Sequence, residues 1–218
     1  MLLSLLLSNP IEFLIIAGLL ITAISFHEFA HAFVADRLGD PTPKLMGRLT
    51  VNPLAHLDPI GSLLMLVTGW GWGKPVPYDP FNLRNPIRDA ALISFAGPGS
   101  NLVMAIIASI LLRIIISVGT GGPLGIIYEI VNLFIYFNVL LALFNLIPIH
   151  PLDGFKIVAG FLPRKYYEDW MSLSPYGMIF LLLLIFPLFG GSSPISTFLT
   201  PVVNFIVSLL TPGRGGIV

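Results

Sequence analysis

The pentad His27-Glu28-Phe29-Ala30-His31 sets two imidazoles four residues apart, with a carboxylate beside the first. On a helix, residues four apart share a face, so both rings can reach one metal ion. Zinc accepts imidazole nitrogens, and the chain has no cysteine to offer thiolate instead. Glu28 lies about 100° round the helix from His27, close enough to hold a water at the metal. Zinc brings the pKa of such a water down to about 7. A carboxylate can then take its proton as the water attacks a carbonyl. The bland alternative is a buried polar cluster that hydrogen-bonds neighbouring helices. The setting favours the metal, because the run IIAGLLITAISFHEFAHAFVA otherwise reads as transmembrane. Ionisable groups are costly there without partners or a function.

Two histidines leave a structural shortfall of one protein ligand. The candidates are His56, Asp58, Glu129, His150 and Asp153. His27 and His31 precede the end of their span by four to eight residues, roughly 6–12 Å of helix. A partner belongs at similar depth. Glu129 is placed near the outer end of its span and is too far away. Asp153 closely follows a span on the same side, in NLIPIHPLDG, where two prolines stop a straight helix. Irregular backbone at membrane depth is tolerated where it lines a cavity. Asp153 is equally well read as the N-cap of a helix that starts near Gly154. A second polar cluster, NPLAHLDPIG at Asn52–Gly61, enters a short apolar segment. There His56 can donate to an oxyanion or only stabilise a loop, and Asp58-Pro59 reads as the start of a turn. In FAGPGSN, small residues suit close helix packing in lipid; Asn101 as a substrate contact is the alternative.

The elements that position these residues follow from composition. Of 218 residues 56% are hydrophobic and only 10% charged, against about 25% charged in soluble domains. Mean hydropathy is +0.92. A soluble single domain is excluded. Eleven basic and eleven acidic residues balance, so no basic surface points to nucleic acid. The N-terminal MLLSLLLSNP lacks a basic region and a cleavage site and reads as mature chain.

Spanning helices need about 20 apolar residues. Stretches of that kind run from about Pro10 to Ala35, Ala90 to Val118 and Ile126 to Pro148, with shorter ones at Pro175–Phe189 and Ile195–Leu210. Gly61–Trp72 is apolar but short, which suits a re-entrant segment. Ten of the eleven basic residues fall in alternate connections, with Arg113 the exception. The positive-inside rule then places the N-terminus outside and those loops in the cytoplasm. The expected fold is an all-α membrane protein. It is a polytopic bundle of about five to six transmembrane helices, with a re-entrant or short-strand region near residues 45–85. It forms one integral-membrane domain over 1–218, with its core at about 10–160 and flanking helices at about 174–211.

HEFAH, NPLAHLDPIG, KPVPYDPFNLRNPIRD, FAGPGSN and NLIPIHPLDG stand in that order between about residues 25 and 160. In this the chain resembles the site-2 protease family of intramembrane zinc metalloproteases. The resemblance implies one Zn2+ held by His27, His31 and Asp153, Glu28 as general base and acid, and His56 as an auxiliary polar group near the scissile carbonyl. It implies a core of the three helices that carry HEFAH, FAGPGSN and LDG. It also implies a substrate that is the transmembrane segment of another membrane protein in the lipid bilayer, cut in regulated intramembrane proteolysis. The chain has no room for the PDZ or CBS domain of larger relatives. A substrate helix must unwind to be cut, and the Gly/Pro-rich stretch Gly69–Pro77 could offer an extended substrate a strand edge. The alternative function is a non-catalytic protein of the same fold that binds clients or metal. Loss of Glu28 or of a ligand would mark it, and none is lost here. A metal transporter would need polar residues along its path, and the outer halves of these helices carry little beyond Glu129 and Arg113.

Overall fold

The computed structural model describes residues 2–68, 71–187 and 191–212. Among them the chain is helical, with one isolated antiparallel bridge between Leu57 and Gly73 and no named strand. It divides into two compact units at the Arg84–Asn85 bond.

The first unit holds α1 (Leu2–Ser8), α2 (Pro10–Arg37), α3 (Thr42–Leu45) and α4 (Pro59–Thr68). Asn9 starts α2 by a reciprocal cap: its amide oxygen accepts from the Glu12 N–H, and its amide donates to the Glu12 carboxylate at 2.9 Å. Pro10, which has no N–H to satisfy, occupies the first turn. The 28 residues of α2 span about 42 Å, more than a bilayer core. Its buried residues run from Ala23, at the middle of the helix, to Ala35 near its C-terminus. Ile24, His27, His31 and Ala35 recur at helical spacing on that face.

After α2, Gly39 turns the chain at φ 107°, a conformation open to glycine. The rest of this unit is held by polar side chains. Asp40 is fully buried and accepts from the Thr42 N–H and hydroxyl, the Asp79 N–H and the Asn82 amide. Burial alone would raise its pKa, but those hydrogen bonds outweigh it and hold the carboxyl below its ordinary value. Asp58 accepts from the Gly61 N–H at 2.7 Å and so starts α4, the structural alternative considered for it. The chain beyond α4 returns along its first turn: a side chain on Gly61 would meet the Trp72 carbonyl, and one on Gly71 the Gly61 carbonyl.

The second unit holds α5 (Pro86–Val118), α6 (Pro123–Asn145), α7 (Asp153–Phe161), α8 (Arg164–Met171), α9 (Gly177–Ile185) and α10 (Pro194–Leu210). Its apolar core joins Ala105, Ala108, Leu112 and Ile115 of α5 to Val131, Ile135 and Val139 of α6 and to Val203 and Val207 of α10. Small residues along α5 let α6 approach closely. The Asn101 amide donates to the Asn138 side chain at 2.9 Å inside that interface. Asn101 thus has the packing role considered for it. The helix α10 contributes Val203 and Val207 to this apolar packing.

Four helices among the described residues are long and apolar enough to cross a membrane: Pro10–Arg37, Pro86–Val118, Pro123–Asn145 and Arg164–Ile185. The last of these joins α8 to α9. The helix α10 is shorter, so the expected five to six spans are met by four plus one short apolar helix. The short strands expected near 45–85 reduce to the Leu57–Gly73 bridge, because prolines at 75, 77 and 80 withhold ladder donors.

Candidate metal centre

The helix α2 carries HEFAH on its buried, C-terminal half. His27 and His31 are both buried, and their Nε2 atoms lie 3.0 Å apart. The rings stand edge to face, with an interplanar angle of 86°. Zinc–nitrogen bonds of about 2.0–2.1 Å set two nitrogens of a tetrahedral ion about 3.3 Å apart. The pair therefore matches two corners of such a site with little movement. Glu28, half-buried on the next position of the helix, faces a different element.

That element is the extended chain from Gly71. A methyl placed on Gly73 would lie 3.3 Å from Glu28 Oε1, 3.2 Å from the His56 carbonyl and 3.2 Å from Ile24 Cγ2. A side chain here would press on the carboxylate and on the His56 carbonyl by a few tenths of an ångström. The Lys74 N–H donates to the His56 carbonyl at 2.7 Å and fixes the register. His56 itself is fully buried. Its Nε2 donates to the Thr50 carbonyl at 2.6 Å, while Nδ1 makes no hydrogen bond among the described residues. The proton on Nε2 leaves Nδ1 an acceptor in the neutral ring. The first unit thus brings His27, Glu28, His31 and His56 into one neighbourhood. Of the proposed substrate edge, Gly69 and Trp70 lie outside the described residues. From Gly71 to Pro77 the chain is irregular apart from the Leu57–Gly73 bridge.

In the second unit Asp153 is the first residue of α7, and Leu152 holds the cap position. The reading of Asp153 as an N-cap is thereby corrected: the helix starts one residue earlier than expected, and the carboxylate sits in its first turn. There the positive end of the helix dipole favours a negative charge. Gly154 is needed beside it, since any side chain would meet the Leu146 and Ile147 carbonyls. His150 lies in the preceding loop; burial, then the nearby Lys156 charge, lowers its pKa. Glu129 is exposed on α6.

The chain as a whole is similar to known proteins. The family model "Peptidase family M50" matches residues 14–185. The chain belongs to peptidase family M50, the site-2 protease family. Among curated M50-like relatives, YwhC of Bacillus subtilis (strain 168) is 36% identical over 202 residues, 91% of this chain and 86% of its own length. Rip2 of Mycolicibacterium smegmatis is 30% identical over 178 residues, 79% of this chain and 66% of its own length. Both are named as candidate zinc metalloproteases. "Zinc metalloprotease MJ0392" of Methanocaldococcus jannaschii is 26% identical over 159 residues, 73% of this chain and 38% of its own length. No solved structure matches the chain. As an M50 protein with four apolar helices of spanning length, it is a multi-pass membrane protein.

One residue of this M50 chain is invisible to sequence reasoning. Arg48 counts by composition as a basic loop residue, yet it is only 4% exposed. Burial pulls its pKa below the ordinary value, and the Glu28 charge pushes it back up. Its neighbours in sequence, Gly47 and Leu49, carry no signal of this; only the folded loops create it.

Proposed function

We propose that this protein is an intramembrane zinc metalloendopeptidase that hydrolyses peptide bonds in or near transmembrane segments of membrane proteins. The observation that carries the reading is the buried His27–His31 pair with its nitrogens 3.0 Å apart, next to Glu28, on a helix long enough to span a bilayer. Zinc metalloprotease relatives support the same cofactor. Zinc is the cofactor, one per chain, with His27 and His31 from α2 and Asp153 from α7 as its protein ligands. Two neutral imidazoles and one carboxylate are the donor types of catalytic zinc sites, which keep a further position open. The whole chain acts as a single membrane-embedded domain, with its core over about 10–160 and flanking helices over about 174–211. It lies in the cell membrane with the active site towards the cytoplasm, as the distribution of basic loops supports.

When bound, zinc polarises the scissile carbonyl and makes water nucleophilic near neutral pH. Glu28 takes the proton of the attacking water on a carboxylate oxygen and delivers it to the nitrogen of the departing amine. His56 serves as the auxiliary polar group near the scissile carbonyl. A ring fixed by Thr50, with its second nitrogen without a hydrogen bond among the described residues, supports that role. The substrate enters as a locally unwound segment, since a helical peptide bond is shielded.

The test uses the full chain in lipid vesicles with a library of transmembrane peptides broken at their centres by glycine and proline, read by mass spectrometry. The wild type is expected to cut within apolar segments. Glu28→Gln should keep its zinc and lose about 100- to 10,000-fold in kcat. Zinc-loaded wild type that cuts nothing, or full activity in Glu28→Gln, overturns the reading in favour of a non-catalytic member of the fold.

A further inference from the structure

Arg48 joins two stretches of the first unit that are otherwise separate. Its Nη1 donates to the Ala55 carbonyl, and its Nη2 donates to the Lys74 carbonyl and, at 3.0 Å, to the Pro75 carbonyl. One side chain thus holds the loop before His56 and the chain immediately after Gly73. That chain also lies against Glu28: a methyl built on Gly73 would stand 3.3 Å from Glu28 Oε1. Its position is therefore set from two directions, by the Lys74 N–H on the His56 carbonyl and by the guanidinium on the two following carbonyls.

A buried guanidinium is an expensive way to tie loops together. Breaking even with an apolar residue is the usual outcome for buried charges, so stability alone is a weak reason to keep one. Arg48 also bonds to neutral carbonyls only, with Nε left without a partner in the described structure. A planar fork with five donors can serve three carbonyls at once, which a lysine ammonium on a flexible stem does poorly. What the arrangement does achieve is a fixed backbone wall against the one carboxylate that has to move a proton.

We propose that Arg48 is a positioning residue for peptide hydrolysis, clamping Gly73–Pro75 against Glu28 so that the carboxylate keeps one orientation beside the His27–His31 pair. The inference rests on Glu28 being the general base. Residues that orient a reactive group from behind typically account for about 10- to 100-fold in activity.

The experiment compares wild type, Glu28→Gln, Arg48→Lys, Arg48→Met and Gly73→Ala as full chains in vesicles. The probe is the library peptide that the wild type cuts best. Zinc content, kcat and KM, and hydrogen exchange at the Lys74 amide are measured for each. Arg48→Met is expected to keep its zinc, to exchange the Lys74 amide faster and to lose about 10- to 100-fold in kcat with KM little changed. Arg48→Lys should recover part of kcat. Gly73→Ala, with Arg48 intact, should lower kcat by pressing a methyl on Glu28. The proposal is overturned if zinc-loaded Arg48→Met has wild-type kcat, if its whole defect is in KM, or if Arg48→Met and Arg48→Lys both lose zinc. Should Arg48→Met fail to fold, wild-type kcat in Gly73→Ala overturns it. An inactive Glu28→Gln beside a fully active Arg48→Met would sink this inference alone, whereas a Glu28→Gln as active as wild type would sink the protease reading with it.

Discussion

The loop region between Asp40 and Asn82 and the helical packing of α5, α6 and α10 hold themselves together by opposite means. In the loops the buried anchors are polar: Asp40 with four donors, Arg48 with three carbonyls and His56 on Thr50. In the helical core they are Leu112, Ile135, Val139 and Val203, all fully buried, with the Asn101–Asn138 pair as the main polar insertion. The reason lies in backbone satisfaction. Helices bond their own N–H and C=O groups, so their side chains are free to be apolar. Irregular loops leave carbonyls and amides that side chains must meet. Directional bonds also fix positions more narrowly than apolar packing does. Polar anchoring therefore lies beside Glu28, and apolar packing joins α5, α6 and α10.

Substitutions in each region test this contrast. The largest effect is expected at Glu28→Gln, a loss of about 100- to 10,000-fold in kcat with zinc and fold intact, measured on the cleaved library peptide. Next is Gly154→Ala in the second unit, where the new methyl meets the Leu146 and Ile147 carbonyls. It should cost about 1–3 kcal/mol in an SDS-unfolding titration. If Asp153 ligates zinc, zinc content should fall as well.

A loop anchor comes third. Asp40→Asn should destabilise the chain by about 1–3 kcal/mol at pH 7. The sign with pH follows from a folded-state pKa held below the ordinary 3.8. The stabilisation is fully present above the unfolded pKa and is lost as pH falls through the folded one. Wild type and Asp40→Asn should thus converge in stability below about pH 4; a constant gap across pH would show that geometry rather than charge does the anchoring. The smallest effect belongs to the helical core's own polar pair. A double-mutant cycle of Asn101→Leu and Asn138→Leu should give a coupling of about 0.6 kcal/mol. A coupling several times larger would erase the contrast between the two regions.

Much of this protein is legible without its structure. The 10% charge content and the long apolar runs require a membrane-embedded, helical chain, because only helices satisfy their backbone in lipid without closing a barrel. The four-residue spacing of His27 and His31 puts their rings on one face wherever a helix forms, and the Nε2 atoms duly converge. Those conclusions depend on local periodicity alone. Boundaries were less legible: a proline before Leu152 and a glycine after Asp153 look like an N-cap, yet α7 begins at Asp153 itself. The tertiary structure alone decided that Arg48 is buried and that Gly73 lies against Glu28. Both are products of loop closure between residues 26 or more apart in sequence. Sequence carries periodicity along a helix; it carries no comparable signal for which carbonyls an arginine will find when two loops fold together.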